Sequence, residues 1–188
     1  MRKIVLMMSV SLDGYIEGPD RDISWHVVDE ELHQYFNDTI RRMGGLLGGR
    51  VTHQLMAAYW PTADADPDAS PTVVDFAAIW RDMPKYVYSR TLESADWNTT
   101  IVREVVPEEV EALKNRPGTG DLGLGGADLA AVFLGHGLVD EIHLCVHPVL
   151  IGRGKPLFPD TDTLTALRLV ESRTFGNGVV LLRYAVRG

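Results

Sequence analysis

The sequence predicts an α/β fold with a mostly parallel central sheet and an antiparallel hairpin at its carboxyl-terminal edge. Three observations carry this reading. Leu122 to Leu124 reads as a short buried strand that breaks at Gly125-Gly126; Ala127 to Leu134 follows with helix formers and with Leu129, Val132 and Phe133 at helical spacing, and Glu141 to Val146 reads as a second strand. A strand, glycine turn, helix and strand in that order join parallel strands by a right-handed crossover. Lys3 to Leu12 is a near-continuous apolar run of strand formers, the pattern of a central strand buried on both faces. Leu167 to Phe175 and Val179 to Val186 are strand-like runs on either side of Gly176-Asn177-Gly178, a hairpin signal.

The remaining elements follow in order. Asp13-Gly14 turns the chain out of the first strand, and Gly14 to Ser24, with Gly18-Pro19-Asp20, reads as an exposed loop that ends at Trp25. Leu32, Tyr35, Phe36, Ile40 and Met43 recur at helical spacing, so a helix is expected over 29–43 with Asp29 as N-cap. Gly44 to Gly49 is a short strand, and Thr52 reads as the N-cap of a helix from His53 to Tyr59. Pro61 to Pro71 is rich in Asp, Ala and Pro and reads as a loop, after which Ser70-Pro71 opens a helix to about Met83. Lys85 to Ser89 and Thr99 to Val102 are strands, and Pro107 to Asn115 is an amphipathic helix with Val110 and Leu113 inward.

The bulk properties limit what this fold can do. A chain of 188 residues with 45% hydrophobic and 23% charged residues is expected to form one globular domain. The net charge of −8 argues against nucleic acid and against an anionic membrane surface as partners, both of which need a broad basic face. The single cysteine, Cys145, lies inside an apolar strand, so no disulfide framework or cysteine metal cluster is expected and a reducing cytoplasm fits best. The apolar run from Ile4 to Val10 is far shorter than the roughly 20 residues of a membrane span. No metal is expected either, because His143 and His147 on one strand stand about 13 Å apart at roughly 3.3 Å per residue.

Three strand ends could hold an extended polyphosphate. Gly125-Gly126 lets backbone N–H groups approach an anion at a helix N-terminus, although structural glycines explain the pair equally well. The dinucleotide fingerprint is incomplete, because Asp128 takes the third glycine position after Gly123 and Gly125. Gly48-Gly49-Arg50-Val51-Thr52 is a second strand-to-helix turn, carrying a guanidinium and a hydroxyl suited to phosphate oxygens. Ser89-Arg90 sets a hydroxyl and a positive charge at the end of a third strand. In a parallel sheet these ends face one crevice.

Ser11-Leu12-Asp13-Gly14-Tyr15-Ile16, Gly49-Arg50-Val51-Thr52, Gly125-Gly126, the block Gly137-Leu138-Val139-Asp140-Glu141 and the tail Pro148-Val149-Leu150-Ile151-Gly152-x-Gly154-x-Pro156-Leu157-Phe158 resemble the reductase domain of bifunctional riboflavin-biosynthesis deaminase-reductases. The resemblance runs over nearly the whole chain, and the tail is its most specific part. No His-x-Glu with a Pro-Cys-x-x-Cys partner is present, so the deaminase half has no counterpart.

The resemblance implies the three-layer sandwich of the dihydrofolate reductase superfamily and NADPH as cofactor. It places Gly49, Arg50, Val51 and Thr52 at the phosphates, Ser89 and Arg90 near the adenosine 2′-phosphate, and Gly125, Gly126, Ala127 and Asp128 at the pyrophosphate. Ile16 faces the nicotinamide, with the Gly14 to Trp25 loop as a lid. Asp29 or Glu30 falls near the superfamily's proton-delivering acid, while Asp29 as a plain helix cap is the competing reading. Ser9, Trp25, Tyr35 and Phe36 fall on the substrate side, where core positions read equally well. The activity implied is hydride transfer to a small heterocycle, carbonyl or imine, with a ribosylaminopyrimidine of riboflavin synthesis or a pterin as candidates. True dihydrofolate reduction and nucleotide binding without turnover are the alternatives. A homodimer is expected from the apolar C-terminal hairpin.

Overall fold

The computed structural model describes residues 1–187. Ten strands and five α-helices follow the chain as β1 (Ile4–Ser11), β2 (Tyr15–Glu17), α1 (Glu30–Arg41), β3 (Gly45–Gly49), α2 (Arg50–Tyr59), α3 (Pro71–Asp82), β4 (Lys85–Tyr88), β5 (Thr99–Val102), α4 (Pro107–Lys114), β6 (Leu122–Leu124), α5 (Ala127–Gly135), β7 (Glu141–His147), β8 (Lys155–Pro156), β9 (Leu167–Thr174) and β10 (Val180–Val186). Eight of the strands form one sheet in the order β5-β4-β3-β6-β1-β7-β10-β9. The first six positions run parallel, and β10 is antiparallel to both β7 and β9. The expected parallel sheet with an antiparallel edge hairpin is the architecture found.

The apolar run of β1 is explained by its place in the middle, between β6 and β7. Its even positions Ile4 and Leu6 join Leu122, Leu124 and Ile142 under α4 and α5, where Val110, Leu113, Ala130 and Phe133 complete a buried cluster. On the other face, where α1 packs against α3, Leu32 of α1 meets Cys145, Phe175, Val179 and Leu181. The helices thus lie in two outer layers, α1 and α3 on one face of the sheet and α4 and α5 on the other.

Three local expectations are corrected. Gly14 to Ser24 is not only loop: β2 pairs antiparallel with β8, and Pro19–Arg21 is a 3₁₀ turn. The partner of β2 lies some 140 residues away, so no local pattern announces it. Thr52 does not cap a helix at His53, because α2 already starts at Arg50 with Gly49 as its N-cap. The 61–71 stretch contains a 3₁₀ helix, Trp60–Ala65, secured by Arg81, which donates to the Pro61 carbonyl (2.9 Å) and to the Asp64 carboxylate (2.8 Å). No helix among the described residues is long and apolar enough to cross a membrane.

Candidate functional site

β3 stands between β4 and β6, so the carboxyl ends that carry Ser89-Arg90, Gly49-Arg50 and Gly125-Gly126 are neighbours. Two helices start there. α2 opens at Arg50 and α5 at Ala127, the latter after Gly126 at φ +93°. A Cβ built on Gly126 would lie 3.3 Å from the Thr52 hydroxyl, so the first turns of the two helices nearly touch. Both positive helix ends therefore act on one point, which favours an anion. At Gly48, Gly49 and Gly125 a Cβ would meet nothing within 4 Å, so the strand ends leave open space beside the two helix starts.

Of the four residues expected at the pyrophosphate, Gly125 and Gly126 have their amides engaged, while Ala127 and Asp128 do not. Gly125 N–H is taken by the Leu47 carbonyl (2.9 Å), and Gly126 N–H points at the Met8 thioether (3.2 Å). The first amide to close onto the helix is Ala130, which donates to Gly126 O, so those of Ala127, Asp128 and Leu129 are left open. Asp128 leaves its N–H open at this turn, and Lys155 pairs with its exposed carboxylate at 2.6 Å. Arg50 is exposed and held by Gln54 (2.9 Å), and Val51 is half-buried in the same turn. Ser89 is buried, and its hydroxyl oxygen accepts from Leu92 N–H (3.0 Å) and Thr91 N–H; Arg90 beside it is exposed. Arg103, which the sequence did not single out, braces this turn by donating to the carbonyls of Ser89 and Leu92.

The strap formed by residues 14–28 is anchored at its start to the 149–157 segment. Leu12 N–H bonds Val149 O (2.8 Å), Leu157 N–H bonds Gly14 O (3.0 Å), and the Asp13 carboxylate accepts from Ile151 and Gly152 N–H (3.2 and 2.8 Å). Hydrogen bonding from Ser11, then from the Gly152 and Ile151 amides, holds the Asp13 carboxyl below its ordinary range. Two of the sequence blocks that carry the resemblance thus lock onto each other. A Cβ on Gly154 would sit 2.0 Å from Glu17 O, which only glycine avoids. Ile16 packs beside Ala127, Val10 and Leu157, so the strap reaches the start of α5.

The substrate-side expectations fare unevenly. Asp29 Oδ1 accepts from Leu32 N–H (2.9 Å) as the N-cap of α1, and Glu30 beside it is exposed. Ser9 is half-buried on the α1 side of β1, in register with Cys145. Phe36 belongs to the Leu32–Phe175 cluster. Tyr35 leans on Phe175 (5.3 Å between centroids) under the Arg173 guanidinium and is not brought to the strand ends. It lines a polar cleft of about 900 Å³ between α1, β9 and β10, together with Lys3, Glu141 and His143, at the opposite end of the strands. The cations along this cleft that form ion pairs, Lys3, Arg173 and Arg183, pair with Glu141, Glu31 and Glu171 respectively. Trp25 does reach the carboxyl edge, packing edge-on against His26 (4.2 Å) and His147 (5.6 Å). The sequence pattern offers His147 only as a candidate metal ligand; the structure places it in an aromatic stack with His26 and Trp25.

Residues 2–181 match the family model of the RibD C-terminal domain. Two Bacillus subtilis (strain 168) proteins align over almost their whole length: YyaP at 37% identity, covering 100% of this chain and 96% of that protein, and YwjB at 29%, covering 96% of each. Among solved structures, a riboflavin-biosynthesis candidate from Shewanella sp. PV-4 superposes over the full length of both chains with a TM-score of 0.75 at 22% identity. The Thermotoga maritima deaminase/5-amino-6-(5-phosphoribosylamino)uracil reductase gives a TM-score of 0.65 at 16% identity, with 99% of this chain on 57% of that one. The fold is that of these reductase-type structures, and the chain belongs to the RibD C-terminal domain family.

Proposed function

We propose that the protein is an NADPH-dependent reductase that delivers hydride to a small heterocyclic, carbonyl or imine substrate, with a phosphoribosylamino-uracil type of pyrimidine as the leading class. The observation that carries the reading is the meeting of two helix N-termini, at Arg50 and Ala127, over a floor of glycines that leaves room at the strand ends. The open amides of 127–129 and the Thr52 hydroxyl suit a pyrophosphate, and Arg50 and Arg90 supply the local positive charge that a chain of net charge −8 must concentrate. When bound, the cofactor supplies the hydride. The chain's own part is to hold the phosphates, to set Ile16 against the reacting ring and to exclude water with the strap. The reductase half of the Thermotoga protein's name supports the substrate class.

Dihydrofolate reduction is the weaker reading, because the Asp29 carboxylate is engaged as a helix cap and Glu30 is exposed. Titration with NADPH and NADH, followed by cofactor fluorescence and thermal shift, tests the proposal. Saturable binding of NADPH is expected, and absence of binding to both cofactors would overturn it. Oxidation of NADPH on addition of a pyrimidinone panel, compared with dihydrofolate, then separates the substrate classes.

A further inference from the structure

His147 ends β7 and is wholly buried, and His26 lies on it with centroids 5.0 Å apart and planes 17° from parallel. Trp25 closes the stack edge-on. Val27 N–H donates to His147 Nδ1 (3.1 Å), so the neutral ring carries its proton on Nε2. Asn177 donates to the Val27 carbonyl (3.1 Å), which fixes the same residue from the hairpin side. The Nε2 atoms of both His26 and His147 are buried without a hydrogen-bond partner. The histidine pair is thus the point at which the strap's far end joins the sheet.

We propose that the stacked His26–His147 pair is a positioning latch: while both rings are neutral it seats the 14–28 strap on the carboxyl edge of the sheet, and protonation releases it. Two features make the seat sensitive to charge. A proton on His147 Nδ1 removes the acceptor of Val27 N–H, and charge on both rings sets two cations 5.0 Å apart, one wholly buried and the other half-buried. No carboxylate offsets this. Asp29 caps α1, Glu31 takes Gly176 N–H and Arg173, Asp13 takes Ile151 and Gly152, Asp22 takes Ser24 N–H, and Glu30 is exposed. Burial, and then the neighbouring His26, push His147 down to about 4, and burial alone lowers His26. The sign follows: a histidine whose pKa is depressed in the closed state contributes its full stabilisation above its ordinary value of 6.5 and loses it as pH falls from there toward 4.

The inference rests on the reductase reading only for what the strap covers, so its test measures the strap itself. Amide hydrogen exchange of the ligand-free protein, expressed as protection factors, is followed at Val27. Between pH 7 and pH 5 protection is expected to fall by about twentyfold, the ratio that linkage gives for closed and open values near 4 and 6.5. Leu122 N–H, bonded to Lys3 O within the sheet, serves as the internal control and is expected to hold. His147→Asn, whose Oδ1 keeps an acceptor at the Nδ1 position without titrating there, is expected to retain protection at pH 7 and to flatten its pH dependence. A Val27 protection factor that is independent of pH in the unmodified protein, or that falls together with Leu122, overturns the latch, as does an unchanged fall in His147→Asn. If that variant does not fold, the comparison of Val27 with Leu122 decides alone. Exchange as expected without NADPH binding would leave the latch standing and remove the reductase reading, and the converse pair of results would do the opposite.

Discussion

Arg50 occupies the first position of α2 with its guanidinium turned to Gln54, a contact that a phosphate can replace at little cost. Arg50→Ala is therefore expected to weaken NADPH binding by about 1.5 to 3 kcal/mol, the range for a charge-assisted hydrogen bond to phosphate, and a titration that gives unchanged affinity would remove the residue from the site. Gly154 makes a different kind of contribution. Its φ of +153° and the backbone oxygen of Glu17 leave no room for a methyl group. Gly154→Ala is expected to cost about 2 kcal/mol or more in chemical denaturation, because a backbone must shift where β2 meets β8. Residues such as these were readable in type from the sequence, since glycine and arginine after a strand announce a turn and a charge. Their geometry was not readable, because whether the amide of Gly125 is free depends on β3, which is far away in sequence.

At the scale of the element, α1 shows how a cap and a catalytic acid can be told apart. Asp29 Oδ1 holds Leu32 N–H, and Leu32 is fully buried against Cys145 and Leu181. Asp29→Ala is expected to lower stability by about 1 kcal/mol while leaving the rate of NADPH oxidation within about twofold. Asp29→Asn, which can still cap, should restore most of that stability. A loss of turnover with stability unchanged would instead mark Asp29 as an acid that delivers protons. The elements themselves were largely legible: the apolar run of β1, the Asp29 start of α1 and the Gly176-Asn177-Gly178 turn each declare their structure locally. The β2–β8 pair and the histidine stack were not. Each joins segments more than 100 residues apart, and a histidine at the end of an apolar strand carries no signal that distinguishes core from latch.

At the scale of the whole molecule, acid stability is governed in part by the β7 start. Burial would raise the Glu141 carboxyl, but hydrogen bonds from Lys3 and His143 outweigh it and hold it down to about 2. A carboxylate depressed in this way stabilises the fold fully above its ordinary value of 4.5, by about 3 kcal/mol, and loses that contribution as pH falls toward 2. Urea denaturation of Glu141→Gln should show a loss of that order at pH 7 and convergence with the unmodified protein near pH 2. The other edge of the molecule is unfinished: β9 pairs with β10 alone, and Leu167, Leu169 and Val170 stand exposed on it. We propose that two copies associate through this edge as a homodimer, so sedimentation should report a dimer that Leu169→Lys shifts to monomer, and a monomer at all concentrations would refute it. The central position of β1 also has a consequence in time. β1 must wait as an unpaired apolar strand until β6 and β7, beyond residue 121, have been synthesised, and its contacts are therefore of long range. The central sheet therefore cannot close before β7 is made, and in that interval Ile4–Ser11 is an apolar strand open to wrong partners.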